Sequence, residues 1–371
     1  MITILGSTGT IGINTLSIIS KRQKKNSVFA LTANSNIKLL FSQIKKFLPL
    51  YAVLSNENDA IKLSKLCSKH DLKTKILNGS EGLLFVSNHS RVKTVLSGIV
   101  GAAALKPTLA AIESGKKILL ANKESLIMSG PLMINAAKKS GAIIIPVDSE
   151  HNAILQIMTT MGLDFNNIQN SKQNERINKI TLTASGGPFL DFTKNQLSRV
   201  TPAQAIKHPK WKMGKKISVD SASMMNKGLE IIEAAILFNL QPSQINILIH
   251  PQSVVHALVS FSDGSVISHM SNHDMRVAIS YALSWPKRYD IDLDELNLDT
   301  VNNLSFKKVR KNQFKCLDLC LKALKLGNNA PTVLNAANEV AVEKFLENKI
   351  KFIDIPVIIE HALSNMRCMR N

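Results

Sequence analysis

"ITILGSTGTIG" (residues 2–12) runs from four strand-forming residues straight into glycines at positions 6, 9 and 12. Ile11, Leu16 and Ile19 then recur at helical spacing, so the stretch reads as a strand, a glycine-rich turn and a helix. Glycines at such a turn let backbone come close to a pyrophosphate, and the helix N-terminus offers free N–H groups and a favourable dipole. The spacing is GxxGxxG rather than GxGxxG, so its place directly after the first strand carries much of the argument; a tight turn with no ligand is the plain alternative. The second strand, "VFALTA" (28–33), is followed by Asn34, Ser35 and Asn36, with no acid to hold a ribose 2′-hydroxyl. That removes repulsion against a 2′-phosphate and favours NADPH over NADH. "YAVLS", "VLSGIVG", "KILLANK" and "AIIIPV" continue the alternation of strands and helices, which means βαβ units and a parallel sheet to about residue 147.

At 371 residues, more than one domain is expected. The apolar runs are strand-length, far below the ~20 residues of a membrane span, and the first residues lack the pattern of a signal peptide. The chain is therefore read as cytoplasmic and mature from its first residue. Cys67, Cys316, Cys320 and Cys368 form no CxxC pair. Cys316 and Cys320 lie one helical turn apart and read as core. The formal charge of +19 admits nucleic acid as a partner, but the lysines are scattered and aromatic residues make up only 5%. The charge instead suits an anionic, phosphorylated ligand.

The texture changes after residue 147. "RINKITLTASGGPF" reads as a strand entering a glycine turn that presents Ser185, and "SVVHALVSF-SDG-SVISHM" as a hairpin. "VDSASMMNKGLE" (219–230) reads as a strand leading into an amphipathic helix over 228–238, with further helices at 314–326, 331–347 and 354–367. Ser221, Asn226 and Lys227 offer a hydroxyl, an amide and an ammonium beside that helix start, which suits a phosphate or phosphonate. Glu230 is placed in its first turn. "IIIPVDSEHNAI" (143–154) carries Asp148 and Glu150, which in an extended segment would point the same way. With Glu230 they make three hard oxygen donors suited to Mg²⁺ or Mn²⁺. A capping role for Asp148-Ser149-Glu150, or an acid/base pair, remains open on the residues alone.

"GSTGTIG", "GAAALKPTLAAI", "ANKESL", "PVDSEHNAI", "TASGGPF", "HPKWKMGKKISVDSASMMNKGLE", "IHPQSVVH" and "NEVAV" occur in this order. Together they closely resemble the 1-deoxy-D-xylulose 5-phosphate reductoisomerase family, over residues 2 to about 365. The resemblance implies an NADPH-binding domain (1–147, Rossmann-like), a central α+β domain for catalysis, metal binding and dimerisation (148–286), a linker (287–312) and a C-terminal helical domain (313–371). It implies an α/β homodimer that rearranges and reduces 1-deoxy-D-xylulose 5-phosphate to 2-C-methyl-D-erythritol 4-phosphate, in the non-mevalonate isoprenoid route. The implied cofactors are NADPH and a divalent cation (Mg²⁺, Mn²⁺ or Co²⁺). By motif, Thr8, Gly9, Thr10 and Ile11 match the pyrophosphate loop, and Asn34, Ser35 and Asn36 the ribose-phosphate segment. Asn122, Glu124 and Gly214 match further cofactor contacts. Asp148, Glu150 and Glu230 match the metal ligands, and Lys123 a substrate-facing lysine within the catalytic set. Ser149, Ser185, His208, Ser221, Asn226 and Lys227 match substrate contacts, joined by Trp211, the loop aromatic that covers the substrate. His250, His256, His269 and His273 read as supporting residues. Two departures stand out: Asn34-Ser35-Asn36 lacks a basic residue that some members carry, and the C-terminal domain looks shortened by about one helix.

The nearest rival is another NADPH oxidoreductase acting on a small phosphorylated aldehyde or ketone, such as a semialdehyde dehydrogenase. That chemistry needs a nucleophilic cysteine at a strand–helix turn, and none of the four stands in such a place.

Overall fold

The computed structural model describes residues 1–21, 27–163, 177–207, 214–310 and 313–367. They form two compact units. The first holds residues 1–125, 129–152 and 274–293; the second holds 126–128, 153–273 and 294–371.

The first unit is built on a seven-stranded parallel sheet. Its strands are β1 (Ile2–Leu5), β2 (Val28–Ala33), β3 (Tyr51–Leu54), β4 (Lys75–Asn78), β5 (Thr94–Ser97), β6 (Lys117–Leu120) and β7 (Ile143–Pro146). The order is β4-β3-β2-β1-β5-β6-β7. β1 and β2 are buried along their whole length, as expected of parallel strands covered on both faces, and this is why they are continuous apolar runs rather than alternating ones. β4 is the strand that sequence reading passed over. It is short, lies at the sheet edge and is partly exposed, so "KILN" carries no strong pattern.

Residues 274–293 complete this unit, although the sequence grouped most of them with the catalytic segment. The Met275–Ser284 helix buries Ala278, Ile279, Tyr281 and Ala282 and packs against the Thr10–Lys21 helix. Lys117 Nζ, at the start of β6, donates to the carbonyls of Leu283 (3.2 Å) and Trp285 (3.4 Å), and Lys21 pairs with Asp292 at 2.9 Å. Those contacts, 160 residues or more along the chain from their partners, are invisible to local pattern.

The second unit has a mixed sheet of β8 (Ile177–Ala184), β9 (Ile245–Ile249), β10 (Val255–Phe261), β11 (Val266–Met270) and β12 (Lys307–Lys308), ordered β11-β10-β8-β9-β12. β10 and β11 form the expected antiparallel hairpin, with Gly264 at a φ of 87° in the connection. The helices Met225–Leu237, Lys315–Leu326, Ala330–Leu346 and Asp354–Ser364 share one apolar core, which includes Leu229, Ile232, Cys316, Cys320, Phe345 and Ile359. The C-terminal helices are thus continuous with the core beneath the Met225–Leu237 helix. At Gly228 the backbones come so close that a Cβ would lie 2.4 Å from Cys320 Sγ. No helix among the described residues is long and apolar enough to cross a membrane.

Candidate active site

In the first unit β1 lies between β2 and β5, so the chain winds outward in both directions from its carboxyl end. Such a switch point leaves a crevice where open α/β sheets bind ligands. Gly6 sits there with φ +81°, and a Cβ on it would meet Gly98 O at 2.7 Å; one on Gly12 would meet Gly6 O at 2.4 Å. Internal packing therefore demands both glycines. Gly9 has only an ordinary contact at 3.5 Å, so nothing among the described residues requires its lack of a side chain. A ligand pressed against the backbone would require it. Thr8, Gly9, Thr10 and Ile11 form this loop and the first turn of the Thr10–Lys21 helix, which has no acid in that turn to compete for an anion. Ser7 Oγ donates to Gln43 Oε1 (2.7 Å) while Gln43 Nε2 donates to Ser7 O (2.8 Å), and this reciprocal pair pins the loop. Asn34, Ser35 and Asn36 are exposed beyond β2, and Asn36 Oδ1 accepts from Leu39 N at 3.1 Å, capping the next helix.

Asn122 follows β6 and is 2% exposed. Its Oδ1 accepts from Ser125 N at 2.8 Å, and its Nδ2 donates to Ile99 O at 2.7 Å and Glu124 Oε2 at 3.2 Å. Asn122 thus ties the loop after β5 to the Lys123–Ser140 helix, a positional role that sequence reading did not foresee. Glu124 is buried, and the Lys123 ammonium is ion-paired with the Asp148 carboxylate.

The extended geometry expected of Asp148-Ser149-Glu150 does not hold. β7 ends at Pro146, and Ser149–Thr160 is helical. Asp148 stands just before that helix, its Oδ1 accepting from Ser149 N at 3.1 Å, and Ser149 Oγ donates to Glu150 Oε2 at 2.7 Å. Both carboxylates therefore belong to a helix N-terminus, where the dipole favours negative charge. Behind them His151 and Asn152 are fully buried, and Asn152 Nδ2 donates to Pro146 O at 2.9 Å.

In the second unit β8 delivers Ser185 to a turn in which Gly186 and Gly187 both have positive φ. A Cβ on Gly187 would meet Ser221 O at 2.8 Å, so glycine brings the Ser185 turn and Ser221 together. Ser185 and Gly187 line a groove of about 460 Å³ with Leu190, Phe192, Pro251 and Gln252. The strand expected at the start of residues 219–230 is instead the end of a helix, Lys215–Ala222, begun at Gly214. Val219 is buried on this helix and Ile217 half-buried, two positions apart and so on different sides of it. Met224, with φ 60°, kinks the chain into the Met225–Leu237 helix. This helix starts three residues earlier than expected, which moves Glu230 from its first turn to its second.

Glu230 is 1% exposed, with Asn226 Nδ2 on Oε1 and Lys227 Nζ on Oε2, each at 2.5 Å. Asn226, Lys227 and Glu230 share one face because residues three and four apart adjoin on a helix. Burying these charges is costly unless they are paired, and removing one partner strands the other. His208 and Trp211 lie outside the described residues. His250 is structural: its Nδ1 contacts Ser305 O (2.9 Å), Val255 N donates to its Nε2 (3.3 Å), and its ring stacks on Phe306. Burial lowers its pKa, opposed by the Ser305 contact. His273 Nε2 similarly meets Gln252 O, and His256 Nε2 meets Ser271 Oγ.

A doubly wound parallel sheet with a glycine-lined switch point is the architecture of dinucleotide-binding proteins. Three family models match the chain: 1-deoxy-D-xylulose 5-phosphate reductoisomerase (residues 2–130), its C-terminal domain (144–238), and the DXP reductoisomerase C-terminal domain (270–371). The reductoisomerase of Pseudomonas aeruginosa (strain UCBPP-PA14) is 47% identical over 98% of this chain and 90% of its own. That of Saccharophagus degradans is 48% identical over 98% and 91%. A crystal structure of DOX-P reductoisomerase in complex with NADPH, fosmidomycin and magnesium superposes with a TM-score of 0.93 at 44% identity, covering 98% of this chain and 89% of that one. The Zymomonas mobilis enzyme in complex with NADPH gives 0.90 at 38%, covering 99% and 92%. The chain belongs to the 1-deoxy-D-xylulose 5-phosphate reductoisomerase family.

Proposed function

We infer that this chain catalyses the NADPH- and divalent-cation-dependent conversion of 1-deoxy-D-xylulose 5-phosphate to 2-C-methyl-D-erythritol 4-phosphate, a step of isoprenoid biosynthesis. The observation that carries this reading is the Glu230 carboxylate, buried and bracketed by Asn226 and Lys227, in a chain of this family. The residues fit both groups. Gly9 leaves the backbone open at a helix N-terminus, as a pyrophosphate requires, and Asp148, Glu150 and Glu230 are hard oxygen donors suited to a small divalent ion. We assign these three to Mg²⁺, Mn²⁺ or Co²⁺, and Thr8 to Ile11, Asn34 to Asn36, Asn122, Glu124 and Gly214 to NADPH.

When bound, the ion polarises the substrate carbonyl and NADPH supplies the hydride. The chain's own side chains do the rest. Ser185, Ser221, Asn226 and Lys227 grip the substrate phosphate, whose remote binding energy orients the reacting carbons. Lys227 supplies the charge for this grip, and its partner Glu230 holds the ammonium in place when the phosphate is absent. Ser149 contacts the substrate beside Glu150, and Lys123 stands ready to steady oxyanion charge. His208 and Trp211 shape and cover the pocket. A cytoplasmic location and a homodimer complete the reading. Edge strand β11, with Val266 and Met270 exposed, favours pairing with a second chain.

The test is NADPH oxidation by chelator-treated enzyme supplied with deoxyxylulose phosphate, with Mg²⁺, Mn²⁺ or Co²⁺ restored singly. Cation-dependent turnover is expected; cation-independent turnover, or none with that substrate, refutes the reading. Sedimentation equilibrium tests the dimer.

A further inference from the structure

Asp220 is a carboxylate in the second unit, 1% exposed, with no part in the substrate or cation contacts assigned above. Its Oδ2 lies 2.9 Å from the Lys216 ammonium, one turn earlier on the Lys215–Ala222 helix. Its Oδ1 accepts at 2.9 Å from Asn338 Nδ2, on the Ala330–Leu346 helix 118 residues later. Asn338 is fully buried, and reversing its amide would press two oxygens together, so chemistry sets its orientation.

The position of this contact is what gives it meaning. The Lys215–Ala222 helix has eight residues and no side-chain cap at Gly214, too short a segment to hold its own geometry. Its C-terminal end carries Ser221, whose carbonyl abuts Gly187, and the Met224 kink then leads directly to Asn226 and Lys227. Ser221 follows Asp220 directly, so a rotation of the helix about its axis would move Ser221 relative to the Gly187 turn that its carbonyl abuts. A buried carboxylate that takes an ammonium from its own helix and an amide from a distant one fixes both the helix's rotation and its height.

We propose that Asp220 is a positioning residue which, locked between Lys216 and Asn338, sets the phosphate-gripping side chains Ser221, Asn226 and Lys227. The proposal rests on the assignment of those side chains to the substrate phosphate. It makes the Ala330–Leu346 helix a determinant of sugar-phosphate affinity, although none of its side chains is assigned to the substrate.

The test uses the full chain carrying Asp220→Asn, Asn338→Asp, and the exchange variant with both. Each single change misaligns the pair, and the exchange restores one amide–carboxylate hydrogen bond of reversed direction. We expect the singles to raise KM for deoxyxylulose phosphate by roughly tenfold or more, the worth of one hydrogen bond to a charged group. KM for NADPH should stay within about twofold, and the exchange should recover most of the lost sugar-phosphate affinity, as a coupled pair must. Lower thermal midpoints with unchanged KM for the sugar phosphate, equal losses for both substrates, or no recovery on exchange would overturn the proposal. If the singles do not fold, the exchange variant and Lys216→Gln, whose side chain is partly exposed, carry the same readout. Parent enzyme inactive on deoxyxylulose phosphate refutes the functional reading itself; active parent enzyme with unmoved variants refutes only Asp220.

Discussion

Gly228→Ala is the sharpest test of how the catalytic helix is seated. The added methyl would stand 2.4 Å from Cys320 Sγ and 2.6 Å from Cys320 Cβ, where ordinary contacts begin at 3.4 Å. Both atoms belong to a short, buried side chain on a packed helix, so relief requires the Met225–Leu237 and Lys315–Leu326 helices to separate by about 1 Å. Overpacking of that kind costs ~3 kcal/mol at the upper end of its usual range. Alanine's better helix propensity returns ~1 kcal/mol, leaving a net loss of ~2 kcal/mol. For a unit of this size that lowers the thermal midpoint by roughly 4–8 °C. Lys227 and Glu230 flank residue 228, so the same displacement misplaces them, and a shift of that size costs as much as ~100-fold in turnover. The assay pairs thermal unfolding with steady-state kinetics for Gly228→Ala, Cys320→Gly and the double variant. The double should be more stable than the sum of the singles predicts, because removing Sγ and Cβ makes room for the methyl. A Gly228→Ala protein as stable and active as its parent would refute the close-approach argument.

Glu230→Gln should cut turnover by at least ~10³-fold while NADPH affinity, measured by fluorescence titration, stays within about twofold; equal loss of both would remove Glu230 from the cation's ligands. The same variant leaves the Lys227 ammonium buried without its carboxylate, so it should also unfold more easily, by ~3 kcal/mol or more. Burial lowers the pKa of Lys117 from 10.5 to about 8. A lowered lysine means the folded chain binds fewer protons than the unfolded one between those values, so this group's burden on stability is greatest below pH 8 and fades as pH rises toward 10.5. Lys117→Met should flatten that rise in a series of thermal midpoints against pH; parallel curves for the two proteins would contradict it. Burial pushes the Cys316 thiol up to about 12 and raises Cys320 and Cys67 as well. In a Cys368→Ser background, native protein should therefore resist a thiol reagent that labels three cysteines after unfolding, and rapid native labelling would count against this core.

The parallel sheet was legible because buried strands must be apolar throughout and glycine must stand where β1 turns into a helix. Where sequence reading failed, local pattern was overruled by neighbours far along the chain. "KISVDSA" has strand-like residues but becomes a helix, held by Asn338. Asp148 and Glu150 were given strand alternation when the strand had already ended at Pro146, and Asp-Ser-Glu equally spells a helix start. Asn226 and Lys227 read as phosphate contacts and Glu230 as a cation ligand; that Glu230 holds both of them at once has no signal in the sequence. Asn122 was picked for a cofactor contact, and its amide proves to be engaged in tying the loop after β5 to a helix start.

The return of residues 274–293 to the first unit has a consequence for how the chain acquires its shape. β1, earliest of the seven strands, finds its partner β5 only once residue 94 has been made, and the face of the Thr10–Lys21 helix that meets the Met275–Ser284 helix stays open until that helix appears. In between, the whole β8–β11 region is synthesised. A ribosome adding 5–20 residues per second would leave that helix face bare for roughly ten seconds or longer, a window in which a chaperone has something to hold. Cutting the chain after residue 147 would make the exposure permanent, so a dinucleotide-binding fragment isolated that way should aggregate unless residues 274–293 are supplied with it.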